Sequence, residues 1–347
     1  FPSGVTHDGR YLQPFPVYVE KALGSKKYDV DGSEIIDYWV GHGAMLLGHS
    51  HPAVVDAVQQ QAARSTHPGA CHELELIWGE WVRKLVPSAE QMRFTNSGTE
   101  ATLMGLRVAR IVSGKQKVIK FAGHFHGWHD LLTPGNEPPE EAGGYSLPGL
   151  TDGVVGDVVL VPTNDIEAVA RAIDEHDPCC VIHEGNGMRW GVVPAEVEFL
   201  QQLRQLTRDK GVLFILDEVI TGFRVAPGGA QAYFEVTPDL ATFAKALGGG
   251  LPVAALAGRA DLMELFTAGT VHSGTYNASA LIMAGTRAAL EHMYADGGAV
   301  LKQAHTAGRR LSQELGVIAE QHGLSMELRG VSSVFSTSFI PATAETI

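Results

Sequence analysis

Apolar residues recur along this chain at two different spacings, and the switches between them outline its architecture. From residue 91 onward, short and largely continuous apolar runs predict strands at 91–95, 118–122, 158–161, 179–183, 212–217, 240–243 and 254–257. Several of these runs lack any alternation of apolar and polar residues, which suits strands buried on both faces. Between them, apolar positions recur every three to four residues and predict helices at 99–111, 166–173 and 196–210, with two more ahead of the alternation at 52–63 and 74–85. Strands alternating with helices in this way predict an α/β protein with a mostly parallel seven-stranded sheet flanked by helices. Near the start, 27–30 and 34–38 flank an Asp31-Gly32 pair that tolerates positive φ, so a hairpin is expected there. Two long helical stretches, 278–294 and 299–322, lead to a last strand-like run at 331–339. A large domain over 48–290 and a smaller α+β domain from 1–47 and 291–347 follow, the C-terminal part of the latter looking incomplete.

Composition narrows the function. The 347 residues, 45 % hydrophobic and 19 % charged, can bury a large core and exclude disordered and fibrous classes. A formal net charge of −13 without a clustered excess of Lys and Arg argues against nucleic-acid binding. No apolar run is long enough for a membrane span, and no signal pattern opens the chain, so a cytoplasmic location is expected. Cys71, Cys179 and Cys180 form neither a disulfide framework nor a zinc pattern and are expected to be buried thiols. Fifteen histidines invite a metal reading, but His124, His126 and His129 share one loop without cysteine partners, and no metal site is expected.

Three stretches carry chemistry. Asp217 ends the buried strand 212–217, where a carboxylate needs a partner; a protonated pyridine nitrogen would serve, as would a helix N-terminus or a surface cation. Lys245 stands alone in an apolar run that leads into Gly248-Gly249-Gly250. Desolvation would lower its pKa and make the amine nucleophilic towards an aldehyde, unless only its stem packs and its head reaches water. Thr95-Asn96-Ser97-Gly98-Thr99-Glu100 follows a strand and opens a helix, which suits an anion site or an ordinary helix cap.

In this order and setting, the three stretches resemble those of the class III, fold-type I pyridoxal-phosphate aminotransferases. The likeness extends from Tyr28-Asp-Val-Asp-Gly through Gly48-His-Ser-His-Pro52 to Gly274. It implies pyridoxal 5′-phosphate as cofactor: Ser97, Gly98 and Thr99 grip its phosphate, Asp217 meets its ring nitrogen, Val219 packs behind the ring, and Lys245 forms the Schiff base. Phe125, in Phe121-Ala-Gly-His-Phe-His126-Gly-Trp, takes the place of the stacking aromatic but lacks a hydroxyl, and His126 lies beside it. Glu184 opens a loop in which Gly185 replaces the family's proline. Thr275 matches a threonine that reaches the neighbouring subunit's phosphate, which implies a homodimer, although Tyr276-Asn277-Ala278 departs from the usual Gly-Asn-Pro.

The branch most alike holds glutamate-1-semialdehyde aminomutase and the β-amino acid aminotransferases. Gly4-Val5 followed by Arg10 resembles an opening whose arginine holds a substrate carboxylate, with Arg189 and Arg224 as alternatives. The expected reaction is transfer of an amino group from a small amino donor, an amino acid or amine, to a keto acid or aldehyde, with Lys245 as nucleophile and proton carrier. Aminomutase, racemase and catalytically silent relatives are the alternatives. Transamination is preferred because Phe125 and Thr275-Tyr-Asn-Ala depart from the aminomutase pattern.

Overall fold

A computed structural model gives the fold and describes residues 1–136, 148–187 and 192–339, apart from the Asp8 side chain. Seven strands, β4 (Gln91–Thr95), β5 (Val118–Phe121), β6 (Val158–Val161), β7 (Cys180–Glu184), β9 (Leu213–Glu218), β10 (Leu240–Phe243) and β11 (Ala254–Gly258), form one sheet in the order β4-β11-β10-β9-β7-β5-β6. Only β11 runs against its neighbours, β10 and β4. The fold is thus α/β with a mostly parallel sheet, as expected. The residues of β5, β7 and β10 are all buried, and those of β9 all but Leu213, because helices cover both faces and leave no side for polar residues.

Parallel strands put their C-terminal ends on one edge, and the register here is specific. Glu184 of β7 pairs with Asp217 of β9, which pairs with Thr242 of β10. Three polar residues therefore stand in a row where the strands stop. Helices α1 (Pro52–Ala62) and α2 (Glu73–Leu85) precede β4, and helix α3 (Gly98–Ser113) begins directly after it and lays Ala101 and Leu106 into the core. Ser97 caps it: its hydroxyl accepts from Glu100 N (3.3 Å) and donates to Glu100 Oε2 (3.0 Å), which also accepts from Asn96 N (2.9 Å). Such reciprocal capping stabilises a helix start by about 1 kcal/mol. Gly114 in the left-handed region (φ 70°) ends the helix.

The N-terminal hairpin forms as β2 (Lys26–Asp29) against β3 (Glu34–Ile36), joined by an additional strand β1 (Val19–Leu23) whose mostly exposed residues gave no apolar pattern to read. The last expected strand is instead a hairpin, β12 (Glu327–Val331) and β13 (Val334–Ser338), because Ser332-Ser333 makes a tight turn inside the apolar run. Cys179 and Cys180 are buried, but Cys71 is exposed in the turn segment preceding the helix Glu73–Leu85, contrary to the expectation for all three thiols. No helix among the described residues is long and apolar enough to cross a membrane.

Candidate active site

The strand-end row opens on a cavity of ≈260 Å³, lined among others by Gly98, Thr99, Phe125, His126, Glu184, Asp217, Val219 and Lys245. Eight of the residues singled out in the sequence thus converge on one space, although they come from five separate stretches of chain. Ser97, Arg10 and Thr275 are not part of the lining. Ser97 has its hydroxyl engaged with Glu100. Arg10 is exposed and donates to Thr6 Oγ1 at 3.3 Å. Thr275 is exposed in a turn whose Asn277 accepts from Asn96 Nδ2 of the same chain at 2.8 Å. Arg189 lies outside the described residues.

Asp217 is 5 % exposed and its carboxylate accepts three hydrogen bonds: from His126 Nδ1 (2.7 Å), Val219 N (3.0 Å) and Thr242 Oγ1 (3.0 Å). A carboxylate can only accept, so the His126 proton sits on Nδ1. Burial lowers the His126 pKa, outweighing the raising effect of Asp217, so the imidazole is neutral at pH 7 and its Nε2 is an acceptor. That Nε2 is buried and has no partner.

Lys245 begins a short 3-10 turn, Lys245–Gly248, just past β10, with φ at 48°. A left-handed non-glycine residue costs roughly 1 kcal/mol, and such strain persists where surrounding structure holds it. The geometry follows from β10 ending at Phe243, with Ala244 and Ala246 buried on either side of the lysine. Burial lowers the Lys245 pKa, while Glu184 and Asp217 pull it up and Arg224 pulls it down. The net downward shift makes the neutral, nucleophilic form of the amine easier to reach than for an exposed lysine.

The wall beside the α3 N-terminus is built of glycines. A Cβ on Gly98 would lie 2.8 Å from Val219 Cγ2, and one on Gly127, which has φ +104°, would lie 2.6 Å from Thr99 Oγ1. These positions hold helix start, Val219 and the 122–128 loop together, leaving the first α3 amides directed at the cavity rim. Anions are favoured at such a place. Phe125 is half exposed over the cavity, and its amide donates to Glu184 Oε1 at 2.6 Å. Gly185 donates its amide to Asp217 O at 2.9 Å, a bond that a proline there could not make.

Four further residues escaped the sequence reading. Asn186 is buried in the lining with neither side-chain atom hydrogen-bonded, and His7 joins the lining from the N-terminal segment. The partial match of the 184–188 loop was the signal for Asn186; nothing in the sequence signalled His7. Behind the cavity, Lys120 of β5 is fully buried, its ammonium donating to Leu132 O (2.6 Å), Pro134 O (2.8 Å) and Asn136 Oδ1. Burial brings its pKa down to about 7. His183 is also fully buried, with both ring nitrogens unbonded, and burial takes its pKa to about 3.

A lysine and a carboxylate facing one cavity at the strand ends of such a sheet are the arrangement expected of the fold-type I transferases that work with pyridoxal phosphate. Comparison with known proteins carries the class to a family. The model of the aminotransferase class-III family matches residues 9–346, and the chain belongs to that family, whose cofactor is pyridoxal 5′-phosphate. It is 39 % identical to a glutamate-1-semialdehyde 2,1-aminomutase of Methanocaldococcus jannaschii, over 97 % of this chain and 80 % of that protein. Among solved structures it resembles an omega-transaminase from Sphaerobacter thermophilus with a TM-score of 0.93 and 32 % identity, covering 99 % of this chain and 81 % of that one. A glutamate-1-semialdehyde aminomutase from Pseudomonas aeruginosa aligns with a TM-score of 0.87 and 25 % identity, covering 98 % and 78 %.

Proposed function

We propose that the protein is an aminotransferase that takes an amino group from an amino acid, a β-amino acid among the candidates, or from an amine, and passes it to a keto acid or aldehyde. The observation that supports this most is the convergence of Lys245, Asp217 and the glycine-walled α3 N-terminus on one cavity. The residues fit pyridoxal phosphate: the helix start at Gly98 and Thr99, against which Gly98 and Gly127 let Val219 and the 122–128 loop pack closely, suits its phosphate, and Asp217 suits its ring nitrogen. When bound, that group supplies an aldehyde for an amine and an electron sink for the bond that breaks.

The chain's own residues do the rest. Lys245 Nζ would hold that group through its amine and, when not so engaged, would accept and return a proton in the cavity. Asp217, oriented by His126, Thr242 and the Val219 amide, would hold the ring nitrogen of that group. Phe125 and Val219, both in the cavity lining, would enclose the ring of that group between them. Glu184, bonded to the Phe125 amide, fixes where Phe125 sits. Arg10, exposed and donating to Thr6 Oγ1, would turn towards a substrate carboxylate. Thr275 completes the phosphate site of a second copy in a homodimer. The same reading takes 48–290 as the cofactor domain and the terminal segments as a small one, in line with the separate three-stranded and two-stranded sheets found there.

A second reading, aminomutase, is favoured by the curated relatives, several of which bear the name glutamate-1-semialdehyde 2,1-aminomutase. The deciding experiment gives purified protein α-amino acids, β-amino acids and amines and follows the cofactor absorbance with product analysis. Conversion to the amine form with one equivalent of keto acid or aldehyde released supports transamination. Isomerisation of glutamate-1-semialdehyde without a second substrate, and no conversion by the panel, overturns it for the aminomutase.

A further inference from the structure

Arg224 is 5 % exposed, six residues after β9, and its side chain does not line the cavity. Its guanidinium donates to Gly43 O (2.5 Å) from the N-terminal segment and to Ser333 O (3.2 Å) in the turn between β12 and β13, and Ser333 Oγ donates back to Arg224 O at 3.0 Å. Burial brings the guanidinium down to about 10, so it stays charged at neutral pH. A buried cation is costly unless bonded, and here two backbone carbonyls from opposite ends of the chain supply the bonds. Gly43 in turn stands against the lysine: a Cβ built on it would lie 3.9 Å from Lys245 Cδ.

We propose that Arg224 is a positioning residue for Lys245. It holds Gly43 and the Ser332-Ser333 turn against the loop that follows β9, so that the lysine stem has a fixed wall, and it places a buried positive charge near the amine. This rests on the reading of Lys245 as the reacting amine. Among the described residues, the charged and titratable groups around Lys245 include Glu184 and Asp217 at strand ends, Arg224, His42 in the segment that carries Gly43, and His7 and His126 in the same cavity lining. Arg224 itself is faced by Tyr294 and His305. Burial raises the tyrosine and lowers the histidine, so both are neutral at pH 7 and leave Arg224 as the cation acting on the lysine.

The test is read first on the apoprotein, as the pH dependence of Lys245 labelling by trinitrobenzenesulfonate, followed by peptide mapping. Removing a neighbouring positive charge favours the ammonium form, so R224Q should raise the labelling midpoint by roughly one unit. R224M, uncharged but with comparable reach along its stem, should do the same. R224K keeps the charge without spanning both carbonyls; its midpoint should stay near the parent's, while turnover at saturating amino donor falls roughly 10-fold or more with KM little changed. A parent-like midpoint in folded R224Q or R224M overturns the proposal. If neither folds and R224K turns over like the parent, Arg224 merely supports the fold and the proposal is likewise overturned. A parent protein that labels normally but converts no amino donor would count against the proposed function and leave this inference to the labelling midpoints.

Discussion

Gly98→Ala puts a number on how closely the cofactor wall is built. The new methyl would lie 2.8 Å from Val219 Cγ2 and 3.2 Å from Cγ1, against a comfortable carbon separation of about 3.5–4.0 Å. Something must therefore yield by roughly 0.7 Å or more, and Val219 is held from behind by Ala101, Ala244 and Ala254. Overpacking of this kind costs about 1–3 kcal/mol. If the helix start is what moves, the cost falls on phosphate binding, and 1.4 kcal/mol per factor of ten predicts a roughly 5- to 150-fold weaker Kd for pyridoxal phosphate. Val219→Ala removes both clashing methyls and leaves Val219 Cβ at 3.6 Å, an ordinary contact. The double variant should then bind more tightly than Gly98→Ala alone, a coupling of order 1 kcal/mol or more. Titrating the apoproteins with the cofactor measures all four values. A Gly98→Ala protein that binds within about 2-fold of the parent would refute the argument, and so would a double variant weaker than the single.

Asp217→Asn, which offers one acceptor to three donors and no charge to the ring nitrogen, should lower turnover by about 10²- to 10³-fold with cofactor affinity much less affected; near-parent kcat would remove that role. Arg10→Ala should raise KM for amino acids about 10-fold or more and leave simple amines unchanged, as steady-state kinetics with paired substrates would show. Burial holds the His183 pKa at about 3 against an ordinary 6.5, so the folded state resists a proton that the unfolded state accepts. Stability from this residue is complete above pH 6.5 and is lost as pH falls towards 3, at about 1.4 kcal/mol per unit. His183→Leu should therefore lose roughly 2 kcal/mol less than the parent between pH 7.5 and 5 in urea titrations, and an unchanged acid limb would exclude it.

Most of the large sheet was legible because a strand buried on both faces has no polar positions to confuse its pattern: all seven strands were placed within one residue of their observed ends. β1 was not, since its stability comes from pairing with β2 and its side chains mostly face water. The 331–339 run hid a turn because two serines between valines read as strand-compatible polar residues. At the site, local signals found Asp217, Lys245 and the α3 start, each being a polar residue at the edge of an apolar run. His7 carries no such signal, and Arg224, which the sequence offered as an alternative partner for a substrate carboxylate, is bonded instead to Gly43 O and Ser333 O; the meaning of both lies in contacts with segments far away along the chain, which no local pattern encodes.

The strand-end row has a consequence for how this chain tolerates change in length. Glu184, Asp217 and Thr242 are spaced by the pitch of the sheet, about 4.8 Å from strand to strand, and share one phase of the pleat. Substitution can alter the chemistry at any of the three without moving the other two. A single residue inserted into β9 ahead of Asp217 is different in kind: the hydrogen-bond ladder can re-form one step along, yet every later side chain turns to the opposite face, and the carboxylate leaves the cavity for the packed side. Insertions of that sort should yield folded, colourless protein, whereas the same residue added in the exposed stretch 268–271, where the backbone takes no part in the sheet, should leave the phase intact.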